Sequence, residues 1–318
     1  MTILAGIDEA GYGPVLGPFV VGLAAFRIPE AKMDLWDALD LARPGGGQAA
    51  GRLLIGDSKR VYTPAQGLAR LEETVLAFLA ASGERPEGDD ALLARLGAEM
   101  PPRWREAHPW YAPGGELPLD ADAGRVADAA GRLRERLAAS GVETRALACA
   151  CVVEGEFNAR VAETRNKATF AWTCVASHLA RALSLAAPNE TVHAGVDRLG
   201  GRARYGELLR EAFPDAFVWE LERGARASAY RLEGGGAPME VSFRVGADAD
   251  ALPTALASMT AKYVREVLMH RFNAWWRARA PALPRTSGYH VDATAFLEAS
   301  RELRTSLGLD DARLVRSR

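Results

Sequence analysis

The sequence predicts an α/β fold: a mixed β-sheet flanked by helices, carrying a large insertion. Three observations lead there. Two apolar runs, residues 3–7 and 19–26, are separated by a turn holding Gly11, Gly13, Pro14, Gly17 and Pro18, and read as adjacent, antiparallel strands. After residue 143, short apolar strands alternate with long helical patterns. Between 82 and 142 the composition changes, with prolines, glycines and Trp104, Trp110 and Tyr111 interrupting any regular period.

In chain order, residues 35–41 read as a helical turn and 43–51 as a Gly/Ala loop. Residues 64–81 form a helix by pattern, because Leu68, Leu71, Val75, Phe78 and Leu79 recur at helical spacing and Thr63-Pro64 supplies a start. The expected division is a main domain of residues 1–81 and 143–318, with 82–142 as an accessory subdomain containing a helix at 126–139. The aromatic residues of that segment leave two readings open, stacking on bases or packing back on the host. Strands follow at 144–153, 191–196, 216–221 and 239–245. Helices follow at 166–187, 254–278 and 293–307, the second with Leu256, Tyr263, Val267 and Phe272 on one broad face. No internal repeat is visible.

Of the 318 residues, 48% are hydrophobic and 25% charged, which excludes wholesale disorder and a fibrous repeat. No apolar run of about 18 residues exists, so no membrane span is expected. The first residues lack a basic segment and a sufficient apolar stretch for a signal peptide, so a cytoplasmic protein is expected. Three cysteines, Cys149, Cys151 and Cys174, make no disulfide framework, and Cys149-x-Cys151 lacks the further ligands of a zinc site. They read as buried small hydrophobes. The formal net charge is −2, yet residues 261–318 carry +5, leaving −7 on the first 260. The basic end fits either an anionic partner or a solvated surface.

The candidate chemistry lies in acids placed where strands end. Asp8-Glu9 follows the first strand, and the glycines after it supply a bend and allow close approach of backbone to a phosphate. The turn is no P-loop, since no Gly-Lys-Ser/Thr follows. Asp197 repeats the arrangement ahead of Gly200-Gly201. Converging carboxylates suit hard divalent cations, which take oxygen ligands and serve phosphoryl chemistry. Glu266 is the only acid between Leu252 and Pro281, so it is the fourth candidate; its plain alternative is an i,i+4 ion pair with Lys262.

The run Gly6-Ile7-Asp8-Glu9-Ala10-Gly11-Tyr12-Gly13-Pro14, with Gly17-Pro18-Phe19-Val20-Val21 behind it, resembles the opening of the type 2 ribonucleases H, ribonuclease HII and HIII. Further blocks occur in that family's order: Asp57-Ser58-Lys59, Asn166-Lys167-Ala168, Val196-Asp197, Gly246-Ala247-Asp248 leading to Ala257–Glu266, and Gly288-Tyr289. The sequence departs from the family in three ways. Glu266 stands where the aligned run ends in Asp, Tyr12 stands where the Gly-x-Gly turn carries Arg or Lys, and the usual histidine ahead of the Gly-Tyr block is missing.

The resemblance implies a ribonuclease H-like sheet and a metal-dependent endoribonuclease. It would cut the RNA strand or embedded ribonucleotides of RNA/DNA hybrids or ribonucleotide-containing duplex DNA, leaving 5′-phosphate and 3′-hydroxyl ends. Asp8, Glu9, Asp197 and Glu266 would be the catalytic acids, holding two Mg²⁺ or Mn²⁺ ions. Gly11, Tyr12, Gly13, Lys59 and Tyr289 would contact the nucleic acid, and the protein would act as a monomer. Two rivals stand beside this reading: a nucleic-acid-binding protein of the same fold with little turnover, and a related nuclease acting on another DNA or RNA structure.

Overall fold

The computed structural model describes residues 1–45, 51–63 and 65–317. Pro64, expected at a helix start, and residues 46–50 of the expected Gly/Ala loop lie outside the described residues.

Strands β1 (Thr2–Ala10) and β2 (Phe19–Ile28) are buried along almost their whole length, as near-continuous apolar strands covered on both faces should be. They pair antiparallel, with Asp8 opposite Gly22. β3 (Glu143–Val152), β4 (Thr191–Asp197), β5 (Phe217–Arg223), β6 (Ala227–Glu233) and β7 (Met239–Arg244) complete a seven-stranded sheet of order β3-β2-β1-β4-β7-β6-β5. The centre, β1-β4-β7, is parallel; both flanks are antiparallel. The expected mixed sheet with flanking helices is therefore present. β6, which the sequence reading passed over, follows a plain period of two: Ser228, Tyr230 and Leu232 are buried and their neighbours half-buried.

Helices of eight or more residues are α1 (Ala69–Ala81), α2 (Asp89–Leu96), α3 (Ala123–Ser140), α4 (Glu154–Thr164), α5 (Lys167–Ser184), α6 (Leu252–Arg279) and α7 (His290–Ala299). One core, with α1, α3 and α6, covers one face of the sheet; α4 and α5 pack on the other. The expected helix at 293–307 is divided at Ser300, which separates α7 from Arg301–Ser306. None of the described helices is long and apolar enough to cross a membrane.

Two glycines let α6 lie almost on the sheet. A Cβ on Gly6 would stand 2.0 Å from the backbone nitrogen of Thr254, and one on Gly22 would stand 2.3 Å from the carbonyl oxygen of Ala257. This close approach carries the first turns of α6 across the ends of β1 and β4.

Segment 82–142 buries Leu92, Trp110, Tyr111 and Leu133 in the same core that α6 occupies. Trp110 packs against Phe272, Trp275 and Trp276. Arg271 of α6 pairs with Asp89 and Asp90, and the buried Glu72 carboxylate of α1 accepts the backbone N–H groups of Leu119, Asp120 and Ala121. Trp110 and Tyr111 are thus interior side chains, and of the two readings the sequence left open they take packing on the host. The three cysteines are free and buried.

Candidate metal centre

β1 runs to Ala10, so Asp8 and Glu9 lie inside a strand rather than beyond its end. Both reach one place because β4 stops first. Ile7 is the last β1 residue paired with β4, opposite Val196, and Asp197 closes β4. The free edge beyond it is a notch into which side chains from both faces of β1 turn. There one carboxylate oxygen from each of Asp8, Glu9 and Asp197 lies within 4.8 Å of the others.

Each acid is held in place. Asp8 Oδ1 accepts the backbone N–H of Glu9 at 2.7 Å, and the Ser258 side chain of α6 hydrogen-bonds to the Asp8 carboxylate. The Ser258 and Ser58 hydroxyls are hydrogen-bonded to each other at 3.1 Å, which ties α6 to the short helix Ser58–Val61. Asp197 Oδ1 accepts the N–H groups of Gly246 and Ala247 at 2.8 and 3.0 Å, leaving its second oxygen for the notch.

Burial and mutual repulsion disfavour the charged forms of Asp8, Glu9 and Asp248. Burial, then the charges of Glu9 and Asp197, hold the Asp8 carboxyl well above the usual carboxylate range. Glu9 is pushed up to about 7, first by burial and then by Asp197. Asp248, on the short helix Ala247–Asp250, is pushed up to about 6 by burial, then by Asp57 and Asp197, and it raises Asp8 and Glu9 in turn. Lys59, exposed at the rim, opposes these shifts at Glu9 and Asp248. An all-oxygen, like-charged, partly buried set of this kind matches the donor chemistry of a hard divalent ion, and the residues present fit Mg²⁺ or Mn²⁺.

Glu266 requires a correction. It lies eight residues beyond Ser258, or about 12 Å further along α6. Its Oε1 takes Lys262 Nζ at 2.7 Å and its Oε2 takes the Tyr62 hydroxyl at 2.8 Å. The i,i+4 pairing wins because both partners of Glu266 sit on its own helix face and the adjoining segment, while the notch lies about two turns back toward the start of α6. Asp248 is the acid that faces Asp8, Glu9 and Asp197. Its signal in the sequence is the same strand-then-acid rule, applied to β7 with a short turn between, within the Gly246-Ala247-Asp248 block.

The other candidate residues lie on the turn after β1 and, for Tyr289, on the segment hydrogen-bonded to that turn. Gly11, at φ +88°, is buried where a Cβ would meet the Pro18 carbonyl at 2.7 Å and the Arg265 side chain at 2.8 Å. Gly13 is exposed, with nothing within 4 Å of a Cβ. Tyr12 leans over Phe19 edge-to-face, within electrostatic reach of Glu9 and Arg202. Tyr289 is exposed, between Lys262 and Arg265. It is tied to the glycine turn because the Gly288 carbonyl accepts the N–H groups of Val15 and Leu16, and Arg265 Nη2 donates to the carbonyls of Leu16 and Ser287.

No family model and no curated protein matches the chain. Among solved structures it is similar to RNase HII from Archaeoglobus fulgidus, in its complex with PCNA, at 18% identity, over 99% of this chain and 94% of that one, with a TM-score of 0.44. It is similar to the ribonuclease H2 of Pyrococcus horikoshii OT3 at 15% identity, over 98% and 92% of the two chains, with a TM-score of 0.44. It is also similar to Bst-RNase HIII in complex with Mn²⁺, at 14% identity, over 99% of this chain and 66% of that one, with a TM-score of 0.42.

Proposed function

We propose that this protein is a divalent-metal-dependent endonuclease that hydrolyses the RNA strand, or embedded ribonucleotides, of RNA/DNA duplexes. The observation that carries the proposal is the meeting of Asp8, Glu9 and Asp197 in one notch, with Asp248 beside them. Asp8, Glu9 and Asp248, all raised by burial and mutual repulsion, are poorly placed for structure and well placed for a pair of cations. The sequence resemblance of residues 6–21 to the type 2 ribonucleases H supplies the substrate class.

In this reading Asp8, Glu9, Asp197 and Asp248 hold two Mg²⁺ or Mn²⁺ ions. When bound, such ions supply an activated water and stabilise the departing 3′-oxygen of an in-line displacement. The chain's own residues bind and orient the strand. Lys59 offsets the charge of a phosphate at the rim. Backbone groups of Gly11, Tyr12 and Gly13 approach the sugar, where a 2′-hydroxyl distinguishes RNA from DNA. Tyr289 stacks on a sugar next to the cut. The products carry 5′-phosphate and 3′-hydroxyl ends.

The test uses three duplexes: one with a single embedded ribonucleotide, an RNA/DNA hybrid and an all-DNA control, each with Mg²⁺ or Mn²⁺. Cutting confined to the first two and lost in Asp8→Asn is the expected result. Binding without cutting in either metal would make the protein a binder of the same fold. Cutting of DNA alone would assign the notch another substrate.

A further inference from the structure

A lysine beside the notch stands against every local field. Lys167 is the first residue of α5, so its ammonium belongs to the end of an 18-residue helix that already carries partial positive charge. Asn166 caps that end with its own side-chain oxygen, accepting the N–H groups of Ala168 and Thr169 at 2.9 and 3.3 Å. The capping oxygen is therefore spent on backbone. Lys167 Nζ lies 4.7 Å from the centre of the Tyr12 ring and 5.4 Å from that of Phe157, and it has no carboxylate partner among the described residues.

A second cation stands behind it. Arg316 lies over the same Phe157 ring at 4.8 Å, only 2% exposed. Its backbone N–H donates to the Val15 carbonyl and its Nη2 to the Pro14 carbonyl, but its Nε and Nη1 meet no acceptor. Burial, and then Arg316, lower the Lys167 ammonium below the usual lysine range. Glu154 is the carboxylate within electrostatic reach of Arg316; its Oε1 takes Gly17 N–H and the Tyr111 hydroxyl and its buried Oε2 has no hydrogen-bond partner, so the cation left without a carboxylate is Lys167.

Position completes the argument. Tyr12, which carries Lys167 on its ring, comes three residues after Glu9, and its hydroxyl adjoins Gly200 in the turn that follows Asp197. Arg202, in the same turn region, acts electrostatically on Tyr12. The strip Lys167–Tyr12–Arg202 therefore borders the carboxylate notch through Glu9 and the turn after β4. Lys59 and Tyr289 stand on rims reached from α6 and its neighbouring segments.

We infer that Lys167, backed by the buried Arg316 guanidinium and seated on Tyr12, is an anion subsite that takes a backbone phosphate of the nucleic acid flanking the carboxylate notch. The counter-charge that Lys167 lacks is then the ligand's. A phosphodiester fits: it is a singly charged, exposed acceptor whose neighbours repeat along the strand, so one phosphate can sit here while another lies at the cations. This inference rests on the proposed function for the identity of its ligand, but not for the existence of an anion site.

The test substitutes Lys167→Met, which keeps the stem on Tyr12 and Phe157 and removes the charge, and Lys167→Arg, which keeps the charge. Duplex affinity of the full chain is measured by fluorescence anisotropy over a salt series, with thermal melting as a folding control. Lys167→Met should weaken binding about 3- to 10-fold at low salt and reduce the slope of log K against log salt by about one, with Lys167→Arg close to the parent. An unchanged affinity and slope in Lys167→Met would overturn the proposal. If the parent protein bound no nucleic acid at all, the proposed function would fail and a second arm would decide. Inorganic phosphate should protect Lys167 from chemical acetylation, read by mass spectrometry; protection keeps the anion site, and its absence removes it.

Discussion

Tyr62 donates its hydroxyl to Glu266 Oε2 at 2.8 Å, joining the segment before α1 to the middle of α6 across 204 residues of sequence. Burial, and then the carboxylate of Glu266, hold the Tyr62 phenol above its usual range. With Lys262 on the other oxygen, Glu266 is a satisfied bridge and not a vacant ligand. Glu266→Gln should therefore leave Mn²⁺ affinity unchanged. Asp248→Asn, which removes one of the acids proposed to hold the ions, should weaken it by at least about 10- to 100-fold, the loss typical of removing a group that only supports a metal ligand. Asp8→Asn should lower kcat by about a thousandfold, equivalent to several kcal/mol of transition-state stabilisation. Isothermal titration with Mn²⁺ and single-turnover cleavage check all three; a metal defect in Glu266→Gln equal to that of Asp248→Asn would reverse the assignment.

The crowded carboxyls also predict how stability follows pH. Glu9 and Asp248 are raised in the folded state, to about 7 and about 6, from ordinary values near 4. The folded protein then binds protons that the unfolded chain has released, so stability falls as pH rises between about 4 and 7 and is lowest above that window. Metal-free protein should melt at a higher temperature at pH 5.5 than at pH 7.5. Mn²⁺ should raise the melting temperature strongly at pH 7.5 and weakly at pH 5.5, where protons compete for the same oxygens. Asp8→Asn should flatten the metal-free pH dependence. Buried His178 and His108, both lowered, act in the opposite direction in parent and variant alike, so a metal-free pH dependence left unchanged by Asp8→Asn would contradict the raised carboxyls.

What the sequence made legible follows from how local each signal is. Asp8 and Asp197 are found by reading apolar runs that end in acids, because parallel neighbours bring such ends together. α6 is legible almost to its ends, 254–278 expected against Leu252–Arg279, since its apolar period is long and unbroken. Asp248 was obscured because a glycine turn separates it from β7, and the Ala257–Glu266 run drew the eye to a different acid. Of the two partners that occupy Glu266, Lys262 is legible at i,i+4 spacing, whereas Tyr62 is not, for it lies far away along the chain. β6 is short and half-buried, and α4 follows β3 after a single residue, so neither stands apart from its neighbour. Lys167 is visible in the sequence inside the Asn166-Lys167-Ala168 block, as a positive charge just past a helix cap, a signal without meaning until Tyr12 and Arg316 are placed beside it.

Segment 82–142 supplies a third prediction. Trp110 is fully buried among Phe272, Trp275 and Trp276, and Arg271 reaches from the same helix to Asp89 and Asp90. Trp110→Ala should cost about 3–5 kcal/mol, the transfer of a large ring plus the cavity it leaves. Because that cavity opens against α6, the whole protein should feel it: one urea transition, moved to lower denaturant with an unchanged slope. Two separate transitions, with Trp110→Ala moving only one, would make the segment an independently folding unit.

The last prediction contrasts two glycines in the same motif. At Gly6 a Cβ would stand 2.0 Å from Thr254 N and 2.1 Å from the Pro253 carbonyl carbon, both backbone, so no rotamer change can relieve it. Gly6→Ala must lift the start of α6 off β1, and with it Ser258, which holds Asp8. Overpacking of this kind costs about 1–3 kcal/mol or more, and here it also widens the notch. The variant should melt lower and bind Mn²⁺ more weakly. At Gly13 the space is open, so a methyl group meets no protein atom within 4 Å. Gly13→Ala should keep the parent's melting temperature and Mn²⁺ affinity. If backbone at this turn approaches the sugar, the same methyl must collide with substrate, and KM for a ribonucleotide-containing duplex should rise while metal binding stays intact. Calorimetry, metal titration and steady-state kinetics on the pair separate packing from contact, and an unchanged KM in Gly13→Ala would remove the exposed end of the turn from the substrate-binding surface.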